Sequence, residues 1–341
     1  MEMPFAKKTS QVATPELPTV VVLATGGTIA GAGPVGRATN YRPGQLDVNA
    51  VVNMAAGARD LAHVRTSQIC NVNSDDITAA HWLELARTIN TMAHDPVVSG
   101  FVITHGTDTL DETAYFLNLA VKTDKPVVLT GAMRPATATS PDGPNNLLQS
   151  IALAGNPQAR GRGVMVVFSD GIFGGRDVRK ISTYQTDAFS ASDFGCMGYM
   201  IDGVPHFYNA SSKAHTTATE FDLMSLRALP PVAVAYFSVD ADPGVLDYHV
   251  RAGARGIVIA GAGSGCYSRA WNERVCALRE TGIPIVRSSR IGAGMITHDD
   301  SYGGNLITGN DLPPQKAAVL LRLALTRTCD PARIQEMFDK Y

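Results

Sequence analysis

No apolar run in the chain reaches the roughly 20 residues that a membrane-spanning helix requires, so no membrane partner is expected. Cysteine is scarce: five residues, Cys70, Cys196, Cys266, Cys276 and Cys329, scattered and without a C-x-x-C pair. An odd, dispersed set argues against a disulfide framework and against a zinc ribbon, and predicts buried or partly buried free thiols. The eight histidines show no H-E-x-x-H or comparable ligand spacing, so neither a metal nor another cofactor is expected. His105 is expected to pack at a strand end, and His81, His94 and His215 at the surface. There is no basic stripe and the formal net charge is -2, which excludes nucleic acid as an expected partner. Charged residues make up 18% against 45% hydrophobic, too few for a disordered chain and enough apolar mass for a sizeable core.

A length of 341 residues suggests two domains of ordinary size. Met1–Pro18 carries two lysines with no apolar stretch behind them and reads as a flexible polar leader, not an intact signal peptide. As written, the chain is expected in the cytoplasm; a trimmed signal would instead place it in the periplasm. Thr19–Ala24, Phe101–Thr104, Pro126–Thr130 and Gly163–Phe168 are short continuous apolar runs, as strands buried on both faces require. Helical patterns lie between them: one capped by Asp76 or Thr78 and running to about Met92, one over Thr109–Val121, one over Asn145–Ala154. This alternation predicts an α/β fold, a larger N-terminal parallel-sheet domain with helices on both faces. Ser211–Glu220 turns polar and loses its period, so 211–228 is expected to link residues 19–210 to a smaller C-terminal α/β domain at 229–341. There Val232–Phe237, Gly256–Ala260 and Ile283–Arg287 read as strands. Pro243–Ala252, Arg269–Thr281, Pro314–Thr328 and Pro331–Tyr341 read as helices.

In open α/β sheets ligands bind beyond the carboxyl ends of the strands. After the first strand stands Thr25-Gly26-Gly27-Thr28, and after Phe101–Thr104 stands His105-Gly106-Thr107-Asp108-Thr109. Glycine beside threonine permits a tight turn and close approach of backbone N–H groups. Gly27 and Gly106 are therefore candidates to hold a carboxylate or a developing oxyanion. Asp108 also reads as a plain N-cap for the helix at Thr109. A threonine hydroxyl needs a base or a strong field to become a nucleophile. Lys180, in the glycine-rich and charged stretch Asp170–Lys180, is a candidate proton carrier, its bland alternative being a solvated surface lysine. Gly31–Gly36 matches G-x-G-x-x-G, but Arg37–Gly44 reads as loop where a helix should follow. Gly261–Cys266 has better context, with cysteine in place of the last glycine.

ATGGTIAG (Ala24–Gly31) and GFVITHGTDTLDETAYFL (Gly100–Leu117) resemble the two signature segments of bacterial L-asparaginases, including the asparaginase-glutaminases. Pro126–Leu147, Gly175–Lys180, Ile285–Arg290 and Leu323–Tyr341 continue the resemblance, and NYRPG (Asn40–Gly44) and NVNSDDIT (Asn71–Thr78) are similar to the type II loop and pocket pieces. The resemblance implies an amidohydrolase that converts L-asparagine to L-aspartate and ammonia, with L-glutamine as a further substrate and no cofactor. It implies Thr28 as nucleophile, with Tyr41 hydrogen-bonded to it from a mobile loop. It implies a second cluster of Thr107, Asp108 and Lys180 that takes up the proton. Ser74 and Asp75 would bind the substrate's α-carboxylate and α-ammonium, Asp108 would also touch the ammonium, and Ala132 would line the pocket by its backbone. The family is homotetrameric, a dimer of intimate dimers in which the partner's C-terminal domain completes each site. Cys266 stands where Asn or Ser is common, Asp75 where Gln or Glu occurs, and Asp299-Asp300 lies near an acidic position that serves the partner's pocket. A non-catalytic amino-acid binder on the same fold is the alternative; it keeps Ser74, Asp75 and Asp108 but has no use for Lys180.

Overall fold

Apolar runs bounded by glycine or polar turns become the strands of the larger sheet. A computed structural model describes residues 16–302 and 306–341; the expected leader lies outside the described residues up to position 15. In chain order come β1 (Thr19–Gly26), α1 (Val48–Met54), α2 (Ala58–Leu61), β2 (His63–Val72), α3 (Ala79–Met92) and β3 (Val98–Thr104). Then follow α4 (Leu110–Ala120), β4 (Val127–Thr130), α5 (Gly143–Gly155) and β5 (Val164–Phe168). Short strands β6 (Gly171–Gly174), β7 (Arg179–Lys180), β8 (Phe189–Ser190), β9 (Gly198–Ile201) and β10 (Val204–Phe207) close this part. Eight strands form one sheet in the order β10-β9-β6-β5-β4-β3-β1-β2. β1 to β5 are parallel, and β6, β9 and β10 add an antiparallel edge. β7 and β8 pair separately as a small hairpin.

β1 is buried along its whole length because helices cover both of its faces. The period of two sorts its side chains. Val21 and Leu23 pack in the cluster that holds Leu85, Ile89, Phe116 and Leu117 of α3 and α4. Val20, Val22 and Ala24 join Val51, Val52, Leu147 and Ile151 of α1 and α5 on the other side. Truncating a buried leucine in such a layer typically costs about 2–5 kcal/mol. Of the two caps the sequence offered for α3, Asp76 and Thr78, the structure uses Thr78, which forms a reciprocal capping box with His81.

β11 (Val232–Tyr236), α6 (Gly244–Arg251), β12 (Gly256–Gly261), α7 (Arg269–Arg279), β13 (Ile285–Ser289) and β14 (Ile307–Thr308) build a four-stranded parallel sheet in sequential order. α8 (Pro314–Ala324) and α9 (Pro331–Lys340) follow, each with proline in its first turn. Ile257 and Ile259 pack with Trp271, whereas Val258 joins the α3–α4 cluster. Through Val258, Leu320 and Phe338, that core runs unbroken from the larger sheet into the smaller. The fold class is therefore the expected one, a larger and a smaller α/β unit.

Three differences from the sequence reading have physical causes. β2 was not expected, because an edge strand with alternating exposed positions carries no apolar run. β6 and β9–β10 are four-residue strands, too short to show a period. The polar stretch after Ser211 is irregular but not loose: Lys122 Nζ donates to the carbonyls of Thr216 (3.2 Å) and Thr219 (2.7 Å). Phe221 is buried there and packs against Tyr341. The five cysteines are free as expected, but Cys266 and Cys329 are exposed and not buried.

Candidate active site

β1 has β2 on one side and β3 on the other, so the strand order reverses at the β1/β3 pair. That switch point opens a crevice at the carboxyl ends of the two strands. Thr25 Oγ1 ties the tips together by donating to Thr104 O at 3.0 Å. Beyond them the two glycine turns touch. A Cβ placed on Gly27 would lie 2.3 Å from Gly106 Cα, and Gly27 has φ +77°. Only glycine satisfies both conditions. This contact places Thr28 and Thr107, 6% and 5% exposed, on adjoining turns at the crevice.

Thr28 opens a short 3-10 turn, and its Oγ1 lies 2.7 Å from Tyr41 Oη. Tyr41 comes from an excursion pinned at its base by paired backbone bonds between Ala32 and Arg42. A Cβ on Gly31 would strike Tyr41 Cδ2 at 2.9 Å, and one on Gly33 would strike Tyr41 Cβ at 2.8 Å. The glycines that imitate a dinucleotide fingerprint thus make room for a phenol, and a loop follows them as expected. Gly261–Cys266 is no cradle either: the Ala262 and Cys266 N–H groups bond each other's carbonyls at 2.8 and 2.6 Å.

Lys180 ends β7, with its side chain only 16% exposed. Its Nζ donates to Thr107 Oγ1 at 2.8 Å and to Asp108 Oδ1 at 2.6 Å. The solvated-lysine alternative is therefore wrong. So is the plain N-cap reading of Asp108: the N-cap of α4 is Thr109, which donates to Ser74 O at 2.7 Å. Hydroxyl, amine and carboxylate form one line along which a proton can travel from Thr107 toward solvent-exposed Asp108.

Ser74 is buried against Gly106, and its Oγ accepts from the Asp108 N–H at 3.2 Å. Asp75 follows it on the same 3-10 turn, with its side chain exposed. Ala132 is fully buried beyond β4, next to Gly131, whose added Cβ would touch Thr107 Cγ2 at 3.3 Å. One expectation needs correction. The Gly27 N–H is engaged by Val72 O at 3.0 Å, so Gly27 cannot serve as a free donor to substrate; its contribution is steric.

Sequence reasoning missed what orients the second turn. His105 Nδ1 lies 2.7 Å from Gly106 O, Thr113 Oγ1 lies 3.0 Å from His105 Nε2, and Trp82 Nε1 donates to Thr113 Oγ1 at 2.8 Å. Thr113 thus accepts from Trp82 and donates to the ring, which leaves the His105 proton on Nδ1 for Gly106 O. Burial pushes the His105 pKa down to about 4, so the ring is neutral at pH 7. Across a trans peptide the Thr107 N–H opposes the Gly106 carbonyl and points away from that ring. His215 is half-buried, not a surface residue, and burial lowers its pKa.

Residues 19–213 match the family described as asparaginase, N-terminal, and residues 231–338 the glutaminase/asparaginase C-terminal domain. The chain belongs to the asparaginase family. It is 43% identical to L-asparaginase 2 of Bacillus subtilis (strain 168) over 328 residues, covering 96% of this chain and 87% of that relative. It is also 43% identical to the glutaminase-asparaginase of Acinetobacter glutaminasificans, covering 94% of this chain and 99% of the relative. The crystal structure of a probable cytoplasmic L-asparaginase from Campylobacter jejuni superposes with a TM-score of 0.92 at 44% identity, covering 95% of this chain and 100% of that one. Within the asparaginase family, the crevice at the β1/β3 tips is this chain's candidate active site. No helix among the described residues is long and apolar enough to cross a membrane. None of the described His, Cys, Asp or Glu residues group in threes that could hold a metal.

Proposed function

We propose that this asparaginase-family enzyme hydrolyses the side-chain amide of L-asparagine, and of L-glutamine as a further substrate, with Thr28 as nucleophile. Thr28 Oγ1 attacks the amide carbon while Tyr41 holds the hydroxyl. Lys180, braced by Asp108, moves the proton through Thr107 and helps ammonia to leave. Water then releases aspartate or glutamate from the ester. Ser74, Asp75 and Asp108 hold the α-carboxylate and α-ammonium. The carrying observation is the line Thr107–Lys180–Asp108 at 2.8 and 2.6 Å, set against the Thr28–Tyr41 pair across one glycine–glycine contact.

Asparagine and glutamine differ by one methylene, worth about 1–3 kcal/mol in a pocket, so small pocket changes set their ratio. Ammonia release measured side by side on the two amides, without added metal, tests the reading. Tight aspartate binding with no ammonia over hours would favour a binding protein instead. Residues 19–210 form the proposed catalytic domain and 229–341 the C-terminal domain. We propose a homotetramer of intimate dimers; the exposed Tyr199, Ile201 and Val204 of β9 and β10, with Tyr208 just after them, supply an apolar face for such packing. Sedimentation at micromolar concentration decides it, a monomer being the adverse result.

A further inference from the structure

Lys316 is the one lysine among the fully buried large side chains of the described residues, and the mechanism above makes no use of it. It projects from the first turn of α8, in the C-terminal part of the chain. Its Nζ donates to three backbone carbonyls of a single turn: Gly175 O at 3.1 Å, Arg176 O at 2.7 Å and Val178 O at 2.6 Å. An ammonium has three donors, and all three are used. Two residues after Val178 the same turn delivers Lys180 to Thr107 and Asp108.

The rest of the turn is also held from the C-terminal side. The Arg176 guanidinium binds Asp311 with both ends, at 2.5 and 2.8 Å, and donates to Tyr341 O at 3.0 Å. Arg179 donates to Asp311 O at 2.7 Å and to Gly292 O. Gly175 has no room for a side chain: a Cβ there would lie 3.0 Å from Ala114 O and from Val164 O. A buried ammonium is a costly residue for mere space-filling, since any apolar side chain fills volume without desolvating a charge. Burial pushes its pKa down to about 8, with Asp111 and Asp177 acting the other way. At pH 7 it is still charged, and its donors are all aimed at one short segment.

We propose that Lys316 is a positioning residue for the reaction: it gathers the Gly175–Val178 carbonyls so that Lys180 Nζ stands within hydrogen-bond reach of Thr107 and Asp108. The inference rests on the reading of Lys180 as proton carrier. The α8 helix thereby acts on the chemistry without touching substrate. Removing the ammonium leaves three carbonyls to find water, and the turn shifts with them. A misplacement of about 1 Å costs on the order of 100-fold in rate. Ser74 and Asp75 stand on a different turn and keep their hold on substrate; Asp108 stays in place and loses only its pairing with Lys180, so KM moves far less than kcat.

The test compares K316M, K316Q and L320A with wild type by ammonia release from asparagine, scaled to folded protein. K316M is expected to lose about 100-fold in kcat with KM within about threefold. K316Q keeps two donors and falls between wild type and K316M; it also carries the test if K316M does not fold. L320A cuts a fully buried side chain from the same helix; it is expected to lower the melting temperature and leave kcat within about twofold. Kcat of K316M or K316Q equal to wild type overturns the proposal, as does an equal kcat loss in L320A. K180M separates the two readings. If wild type releases no ammonia, or K180M keeps full activity, the proton-carrier reading falls. If K180M is inactive and K316M is not, only the role of Lys316 falls.

Discussion

Two threonines flank one glycine–glycine contact, yet their surroundings differ in kind. Thr28 has a phenol beside it, brought by an excursion of the chain between Ala32 and Arg42. Thr107 has an amine and a carboxylate, the amine delivered by a turn gripped from two sides. A phenol can hold and release a hydroxyl proton locally. An amine braced by an acid can carry that proton away. The comparison teaches that the two hydroxyls are not duplicates: Thr28 is paired with a phenol and Thr107 with an amine and an acid, which supports the proposal that Thr28 bonds to carbon while Thr107 relays the proton.

The sharpest way to break this contrast is T28A. Loss on the order of 10⁴-fold or more in kcat is expected, with the circular dichroism spectrum unchanged. Mass spectrometry of wild type quenched with a slow ester substrate should find the acyl group on the Thr28 peptide; finding it on the Thr107 peptide would reverse the assignment. K180M comes next. It removes the proposed proton carrier and is expected to cost about 10²–10⁴-fold in kcat. A loss under tenfold would mean that Thr107 needs no amine. Y41F is milder: one hydrogen bond of about 0.5–1.5 kcal/mol corresponds to roughly a two- to thirteenfold drop in kcat/KM. A Y41F effect as large as that of T28A would make the phenol the base.

The last test concerns stability and leaves the rate untouched, and it separates the support of the Thr107 turn from its chemistry. Glu112 lies in the first turn of α4, just beyond Thr107. Burial, aided by Asp111 and opposed by Arg322 and Lys316, pushes its pKa up to about 7. The folded chain therefore binds this proton more tightly than the unfolded chain between about pH 4.5 and 7. Its stabilising contribution is full at the acid end and is lost as pH rises through 7. His105 acts with the opposite sign. Its folded pKa of about 4 means stability present above 6.5 and lost as pH falls toward 4. Urea titrations from pH 5 to 7.5 should show E112Q removing a fall of about 2–3 kcal/mol with rising pH, which uncovers the opposite rise contributed by His105. An E112Q slope identical to wild type would remove Glu112 from this account.

Much of the scaffold was legible because buried parallel strands must be apolar on both faces. Thr19–Ala24 announces β1, and the two candidate caps Asp76 and Thr78 announce α3. β2 escaped notice because an edge strand has water on one side and alternates. The glycine-threonine turns and Lys180 were legible as chemistry-bearing residues at strand ends. His105 and Thr113 were not legible as a pair: their hydrogen bond joins a strand end to the next helix. Lys316 left one faint signal, a lysine on the apolar stripe of Gln315–Leu323, which only burial turns into meaning.

By itself the sequence determined which hydroxyls, amines and acids were on offer, and which positions had to be glycine-lined turns at strand tips. Residue type and local period are properties of neighbours along the chain, so they can be read there. That Thr28 meets a phenol and Thr107 an amine was expected only through the resemblance, and it is tertiary structure that brings it about. Thr107 meets Lys180 across 73 positions, and Lys316 meets Val178 across 138. Contacts at that range exist because the turn that leads to Lys180 lies against α4 and β5 at Gly175, and α8 packs on α4. No local pattern encodes them.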